Sequence, residues 1–387
     1  MHCLTIVCIC MLLQLAIDQA LSEKLGALDC CSVLVSMLKT MKTEEDVVEE
    51  VLVAITSLCD NSFTNRIQCH TSQIEKFALE VLVQHEDSEA VVEACFLAMD
   101  RVLQLAPSSL QESVSRGETS HSLVDKSIIF DKIVYSLVSN DGCKVFSNAI
   151  ARFASSSQTI VETGTRLLAN IASYGSLSDS NSSNSSNSSS SSNSINSSSS
   201  RDMSVFESKI ALYQSASGYH KVEAFENIHL IPLGLGSSAP TVLCTVLQLY
   251  MGHEVIVRQA LTALHRMSTC VRNIPVLHSV GLDRLISPVL RTHFLRQPQT
   301  QQQQTQQQQP QQTQQPDIVH LCYRLVVNLC LDSRCRAAIS TSSGGETLLV
   351  SLVHHLQSKV SAKLACDALS ALCISPLCDA LSSQFVR

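Results

Sequence analysis

Tryptophan is absent from this 387-residue chain, and glycine and proline are scarce, at 12 and 9 residues. So few breaking residues exclude a turn-rich β architecture and favour helices. The nucleotide-binding pattern GxxxxGK[ST], the zinc-protease pattern HExxH, the hydrolase pattern GxSxG and the dinucleotide pattern GxGxxG are missing as well. We therefore expect a non-enzymatic protein that carries no catalytic residues, no cofactor and no metal.

The 17 cysteines are scattered and odd in number, and no CxxC pair occurs among them. A disulfide framework is typical of small secreted domains with an even set, so this pattern indicates reduced thiols and a cytoplasmic or nuclear protein. At apolar helix positions a free thiol packs as a small hydrophobe. Cys8 with Cys10, and Cys30 with Cys31, lack further metal donors nearby, and packing is the interpretation we favour for both.

Residues 1–17 are apolar and resemble the core of an export signal in length. They lack a basic leading segment and a good cleavage site, and they are short for a membrane span. The phrase LLQLAID within them matches a motif found further along the chain. We therefore predict a buried repeat helix here, and a secreted or membrane-anchored protein is the disfavoured alternative.

A short helical phrase recurs at a spacing of about 43 residues once low-complexity insertions are removed, which is the signature of stacked helical repeats. The phrase appears seven times: LLQLAID at Leu12–Asp18, AITSLCD at Ala54–Asp60, MDRVLQLA at Met99–Ala106, LLANIAS at Leu167–Ser173, ALHRMST at Ala263–Thr269, VVNLCLD at Val326–Asp332 and LSALCIS at Leu369–Ser375. Such repeats build binding surfaces more often than catalytic sites.

Each repeat is predicted to contain a short helix, a glycine break and two longer helices. In the clearest unit the short helix covers Ala20–Leu25, Gly26 breaks it, and a second helix covers Leu28–Leu38. A polar stretch, Pro107–Asp125, predicts an exposed loop. Further on, Thr241–Met251 and Val255–Met267 are predicted to be the second and third helices of a later unit.

Two low-complexity tracts divide the chain. Residues 1–174 form a predicted N-terminal block of repeats, which is acidic, with 12 Lys and Arg against 22 Asp and Glu. Residues 175–202 are rich in Ser and Asn and are predicted to be a disordered linker. Residues 203–387 form a predicted C-terminal block with 15 Lys and Arg against 11 Asp and Glu, interrupted by a Gln-rich disordered loop at 297–316. This divided charge disfavours nucleic acid as a partner.

The phrases ALSALC at Ala368–Cys373 and LLANIA at Leu167–Ala172, together with the three-helix plan, resemble the armadillo repeat family, a relative of HEAT repeats. The resemblance covers most of the chain outside the two tracts. It implies an all-α fold, a right-handed superhelix of about six to seven armadillo-like repeats with a concave groove.

In armadillo proteins that bind extended peptides, an Asn of this phrase lies in the groove and hydrogen-bonds the ligand backbone. The resemblance places that position at Gln14 and Ala371 near the chain ends, and in between at the candidate partner-binding residues Ser57, Arg101, Asn170, Arg266 and Asn328. Only two of the seven are Asn, so the usual amide ladder is mostly lost.

We therefore expect a scaffold or adaptor that binds a protein partner, for example an extended peptide segment, through its groove. The alternative is a regulatory subunit or structural arm of a kinase, phosphatase or ubiquitin-ligase complex, which would contact its partner through its ends. The acidic N-terminal half favours a basic segment, and the C-terminal half favours an acidic one.

Overall fold

The computed structural model describes residues 2–60, 62–103, 120–182, 238–294, 318–341, 363–364 and 366–372. Within these ranges the regular secondary structure is entirely helical. The predicted Gln-rich loop and most of the predicted Ser/Asn-rich linker lie outside the described residues.

The helices follow one another in short steps. The N-terminal ones are α1 (His2–Ala16), α2 (Gln19–Ala27), α3 (Cys30–Thr40), α4 (Glu45–Asp60), α5 (Phe63–Thr71), α6 (Ile74–Gln84) and α7 (Glu89–Leu103). The middle ones are α8 (Ser120–Ser139), α9 (Gly142–Phe153) and α10 (Gln158–Ser182). The C-terminal ones are α11 (Ser238–Leu249), α12 (Glu254–Ser268), α13 (Ile274–Ser279) after a 3-10 turn at Val271–Asn273, α14 (Leu282–Phe294), α15 (Ile318–Leu329) and α16 (Ser333–Thr341).

These helices form three-helix repeats that stack side by side. The first repeat is α2–α4, the second is α5–α7, the third is α8–α10, the fourth includes α11 and α12, and the fifth is α13–α15. The third helices α4, α7, α10, α12 and α15 pack each on the next, with α1 packed on α4 ahead of them. The second helices α3, α6, α9, α11 and α14 form a parallel layer in the same order. The predicted all-α solenoid of stacked repeats is confirmed.

Burial at helical spacing explains why the third helices occupy the centre of the stack. In α4, Val47, Val51, Ile55 and Leu58 are almost fully buried, and Val48, Leu52 and Cys59 widen the same apolar stripe. Burying one such aliphatic side chain stabilises the fold by about 1.5–3 kcal/mol. A stripe this wide contacts the second helix of its own repeat and the third helices on both sides.

The stack is continuous across residues 183–237, which the structure does not describe. The Tyr250 hydroxyl, beyond the gap, donates to the Ala154 carbonyl at 2.8 Å, and the Thr165 hydroxyl donates to Gln259 Oε1 at 3.2 Å. The third helices on the two sides, α10 and α12, pack along each other. The fourth repeat therefore stacks directly on the third.

A buried asparagine fastens the first repeat to the second. Asn65 of α5 donates to the Leu58 carbonyl at 2.9 Å and to the Ser22 carbonyl at 3.1 Å. A Cβ atom on Gly26 would lie 1.8 Å from Asn65 Oδ1. Gly26 is therefore required because Asn65 sits against its backbone, and its predicted role as a helix break is wrong, since α2 continues to Ala27.

The chain reversal before each second helix is made by residues in the left-handed region. Gly281 takes this conformation with φ 80°, as predicted for a glycine break. Its counterparts are not glycines: Asp29, Gln73 and Asp141 adopt φ values of 64°, 66° and 59°. Asp and similar polar residues tolerate this region better than β-branched ones, which explains why the sequence carries no regular glycine here.

The structure differs from the sequence prediction at the loop before α8 and at the N-terminal helix. The predicted loop Pro107–Asp125 is partly helical, because α8 begins at Ser120. The predicted helix at the N-terminus exists as α1 and buries Ile9 and Ala16, but Val7, Met11, Leu15 and Ile17 on it and just after it are exposed. Among the described helices, none is long and apolar enough to cross a membrane.

Candidate functional site

The side chains that face outward from α4, α7, α10, α12 and α15 form one surface, called here the third-helix face. Polar contacts link each helix of this layer to the next. The Arg101 guanidinium pairs with Asp60, the Arg166 guanidinium pairs with Asp100, Arg266 donates to the Ala169 carbonyl, and Asn328 donates to Ser268. Five of the seven groove positions inferred from the resemblance lie on this layer: Ser57, Arg101, Asn170, Arg266 and Asn328.

Ser57 and Arg101 lie at the acidic end of the third-helix face. The Ser57 hydroxyl donates to the Val53 carbonyl of its own helix at 3.1 Å. Arg101 Nε lies 3.0 Å from Asp60 Oδ1, so an acidic side chain already neutralises this guanidinium. Five carboxylates lie on the exposed and half-buried sides of α4 and α7: Asp46, Glu49, Glu50, Asp60 and Glu93.

Like charges lie close together in this carboxylate group. Burial raises the pKa of Glu49, and the neighbouring charges of Glu50, Asp46, Glu45 and Glu93 raise it further. Glu93 belongs to the next repeat, so the repulsion acts between helices as well as along one. A group whose charged form is disfavoured in this way is stabilised by an approaching cation.

Asn170 lies half-buried on α10, one turn after Arg166. Arg166 Nε donates to Asp100 Oδ1 at 2.9 Å, and the Asp100 side chain is almost fully buried. Glu162, one turn earlier, adds a second carboxylate at 3.6 Å from the guanidinium. In the middle of the face, as at its acidic end, the arginine charge is offset by carboxylates.

Arg266 has a different environment. Its Nη1 donates to the Ala169 carbonyl at 2.6 Å, which fixes the guanidinium between α12 and α10. Among the described side chains, no carboxylate lies within ion-pairing distance of it. Burial lowers the pKa of Arg266, and the group keeps its charge because an arginine remains protonated in proteins.

Asn328 is held by hydrogen bonds to the preceding repeat. Its Nδ2 donates to Ser268 Oγ at 2.9 Å and lies 3.4 Å from His265 Nδ1. Burial, and then the charges of Arg324 and Arg266, lower the pKa of His265 to about 4, so the ring is neutral at physiological pH. The amide nitrogen of Asn328 is thus directed at its own stack.

The two outer positions inferred from the resemblance lie outside the third-helix face. Gln14 is exposed on α1, and Ala371 is half-buried in the helical residues 366–372. The structure therefore brings Ser57, Arg101, Asn170, Arg266 and Asn328 onto one surface, and whether they bind a partner stays a prediction.

Sequence reasoning missed Arg166, Asp100, His265 and Arg324, which determine the charge of the third-helix face. Arg166 precedes Asn170 by four residues and Arg324 precedes Asn328 by four, a spacing that puts each pair on one side of a helix. That spacing was available as a signal. The pairing of Arg166 with Asp100 was not, because it depends on how two repeats stack.

The cysteines contribute to packing. Cys59 and Cys69 are buried, with sulfur atoms 3.6 Å apart, and burial raises the pKa of Cys95 and of Cys143, that of Cys143 to about 12. Of the two cysteine pairs that we expected to serve packing, Cys31 is buried, whereas Cys8 is exposed, so the expectation is wrong for Cys8. In the part of the chain that the structure describes, no group of three His, Cys, Asp or Glu side chains could hold a metal ion.

Known structures share the fold of this chain over most of its length. A crystal structure of an engineered protein matches with a TM-score of 0.51 and 13% identity, covering 88% of this chain and 96% of the other. A designed armadillo repeat protein in complex with the peptide (KR)4 matches with a TM-score of 0.50 and 11% identity, covering 88% and 98%. Another designed armadillo repeat protein matches with the same TM-score and identity, covering 88% and 99%.

These likenesses confirm the armadillo repeat fold, and at such low identity they show the fold alone. The sequence matches no protein-family model and no curated protein.

Proposed function

We propose that this protein is a non-enzymatic scaffold that binds an extended segment of a partner protein along the third-helix face. The observation that carries the proposal is the continuity of this layer from α4 to α15 across the undescribed residues 183–237. A long open surface made of one helix from each repeat suits a ligand that is itself long. Ser57, Arg101, Asn170, Arg266 and Asn328 are the residues we assign to the contact.

The chemistry of the face supports a polypeptide ligand. An extended segment presents unpaired amide and carbonyl groups, which side-chain amides, hydroxyls and guanidinium groups can satisfy. The designed armadillo repeat protein that carries the peptide (KR)4 supports the proposal by analogy of fold. We further propose a cytoplasmic or nuclear location, from the scattered and odd set of cysteines, and no nucleic-acid partner.

The test compares two variants of the full chain as baits in quantitative affinity capture. One carries Arg101→Ala, Asn170→Ala, Arg266→Ala and Asn328→Ala on the third-helix face. The matched control carries substitutions of exposed side chains on the second-helix layer: Lys39→Ala, Lys76→Ala, Gln84→Ala and Arg284→Ala. Circular dichroism verifies that both stay helical.

We expect proteins that bind the wild-type chain to be lost from the third-helix variant and kept by the control. Loss from both variants alike, or retention by both, would overturn the proposal. A partner recovered with the control alone is then mapped by competition with synthetic fragments of its own sequence, because a segment-binding scaffold predicts that one short fragment competes.

The second candidate, a regulatory subunit or structural arm that docks through its end, is favoured by one observation. Val7, Met11, Leu15 and Ile17 leave 44–69% of their surface exposed at the α1 end of the stack. Apolar residues grouped in this way are typical of protein contacts. In this case Met11→Lys with Leu15→Lys abolishes capture and the third-helix variant keeps it, the reverse of the first proposal.

A further inference from the structure

The two ends of the third-helix face differ in the sign of their charge. At the α4 and α7 end, five carboxylates lie on the exposed and half-buried sides of these two helices, and one of them, Asp60, pairs with Arg101. At the α12 and α15 end, the exposed and half-buried cations are Arg258, Arg266 and Arg324, and only Arg258 has an acidic partner, Glu254, among the described residues. The face therefore changes from acidic to cationic along one continuous layer.

The cationic end is partly preorganised. The Ala169 carbonyl holds Arg266 in place, while Arg324 on the next helix is exposed and close enough to influence His265. An arginine offers a planar fork of donors that matches a carboxylate in two hydrogen bonds. Two such groups on adjacent third helices, without carboxylates of their own, suit acidic side chains of a ligand.

The distance between the two ends fits a short peptide. Packed helices lie roughly 8–10 Å apart, so the four steps from α4 to α15 span roughly 32–40 Å. An extended chain covers up to about 3.3–3.6 Å per residue, so about ten to twelve residues reach from one end to the other. A single segment can therefore contact both charge regions.

We infer that the third-helix face binds one extended segment that has a basic stretch and an acidic stretch, the basic one on α4 and α7 and the acidic one on α12 and α15. This inference rests on the proposed function and adds the polarity of the ligand. A nucleic acid has the wrong chemistry for such a face, because its backbone is uniformly negative and the carboxylates of α4 repel it.

The experiment measures fluorescence anisotropy of labelled peptides of about twelve residues titrated with the full chain at low ionic strength. One peptide has a Lys-rich half and a Glu-rich half, and two others of the same length are Lys-rich or Glu-rich throughout. We expect the two-signed peptide to bind about tenfold more tightly than either uniform peptide, and a single-stranded oligonucleotide to compete poorly.

Single substitutions with matched controls locate the contacts. Arg324→Glu and Glu49→Lys should each remove the advantage of the two-signed peptide. Arg284→Glu, on the exposed side of α14, and Glu23→Lys, on the exposed side of α2, make the same charge changes elsewhere and should leave it. Arg324 is exposed and pairs with no carboxylate within the described ranges, so we expect its replacement to leave the fold intact.

Equal binding of the three peptides, stronger competition by the oligonucleotide, or equal losses in the variants and their controls would each overturn the inference. Such a result together with partner loss in the third-helix capture variant leaves the proposed function standing and removes only the polarity. Unchanged capture in that variant removes the proposed function itself.

Discussion

The N-terminal third helices and the C-terminal ones occupy equivalent places in the stack. They differ in the group that an arginine on them contacts. On α7 and α10, Arg101 and Arg166 pair with carboxylates of the preceding third helix, at 3.0 and 2.9 Å. On α12 the corresponding arginine, Arg266, reaches a backbone carbonyl, and on α15 Arg324 has no carboxylate partner within the described ranges. The helices stack alike in both regions.

The difference shows that arginines of the third helices serve two purposes. A guanidinium joins neighbouring repeats in either case, because it bridges the ends of two third helices. Where it bridges to a carboxylate its charge is cancelled, and where it bridges to a carbonyl its charge remains.

The largest effect is expected at Arg166. Replacing it with Leu leaves the buried Asp100 carboxylate without its partner, and an uncompensated buried charge destabilises a protein by about 3–5 kcal/mol. We expect about 3 kcal/mol in the free energy of unfolding measured with urea, because Arg166 is itself partly exposed. Asp100→Asn with Arg166→Leu should recover part of the loss, and equal instability of the single and double variants would contradict the pairing.

The next effect depends on pH at the C-terminal end. The folded-state pKa of His265 lies at about 4, below its ordinary value of 6.5, so the unfolded chain binds a proton first as the pH falls. The stabilisation is present above pH 6.5 and is lost on acidification, by about 2 kcal/mol between pH 7 and pH 5.

His265→Gln isolates this contribution. Urea unfolding of the variant should decline less steeply between pH 7 and pH 5 than that of the wild type. Parallel pH profiles for the two chains would contradict the lowered pKa of His265, and would mean that its ring is less buried, and the Arg324 and Arg266 charges further away, than the structure indicates.

A smaller effect is expected at Arg266. Arg266→Met keeps most of the side-chain stem and removes the hydrogen bond to the Ala169 carbonyl, for a loss of about 1–2 kcal/mol in the free energy of unfolding. No buried carboxylate is stranded, so the loss should be less than that of Arg166→Leu. A loss as large as at Arg166 would mean that the two regions do not differ.

The smallest effect on stability is expected at Arg324. Arg324→Gln should change the free energy of unfolding, measured with urea, by no more than about 0.5 kcal/mol, the usual range for exposed positions. A larger loss would assign Arg324 to the structure and not to the charge of the face.

Helical periodicity in the sequence predicts most of the repeat architecture. The expected helices at Thr241–Met251 and Val255–Met267 correspond to α11 and α12, because apolar stripes decide helix positions locally. The role of Gly26 was mispredicted because the side chain that leaves no room for a Cβ atom there, Asn65, lies in the next repeat. Stacking contacts of this kind have no local signal.

One long-range relationship could have been found. The second and fifth repeats share a pattern with identical spacing, Asn-x4-His-x4-acid-x9-His, in the pairs Asn65 and Asn273, His70 and His278, Glu75 and Asp283, and His85 and His293. The structure explains its last member: His85 donates to the Lys42 carbonyl at 2.7 Å, and His293 to the Met251 carbonyl at 2.9 Å, each fastening the turn of the preceding repeat. The sequence pattern alone does not distinguish histidines that bind the preceding repeat from histidines that bind a ligand.

The most direct test of a face with opposite charges at its ends is photo-crosslinking of the two-signed peptide. The peptide carries the crosslinker at its basic end in one experiment and at its acidic end in the other, and mass spectrometry locates the products on the full chain. We predict adducts on α4 and α7 from the basic end and on α12 and α15 from the acidic end. Adducts of both ends on the same helix, or on the second-helix layer, would contradict the account.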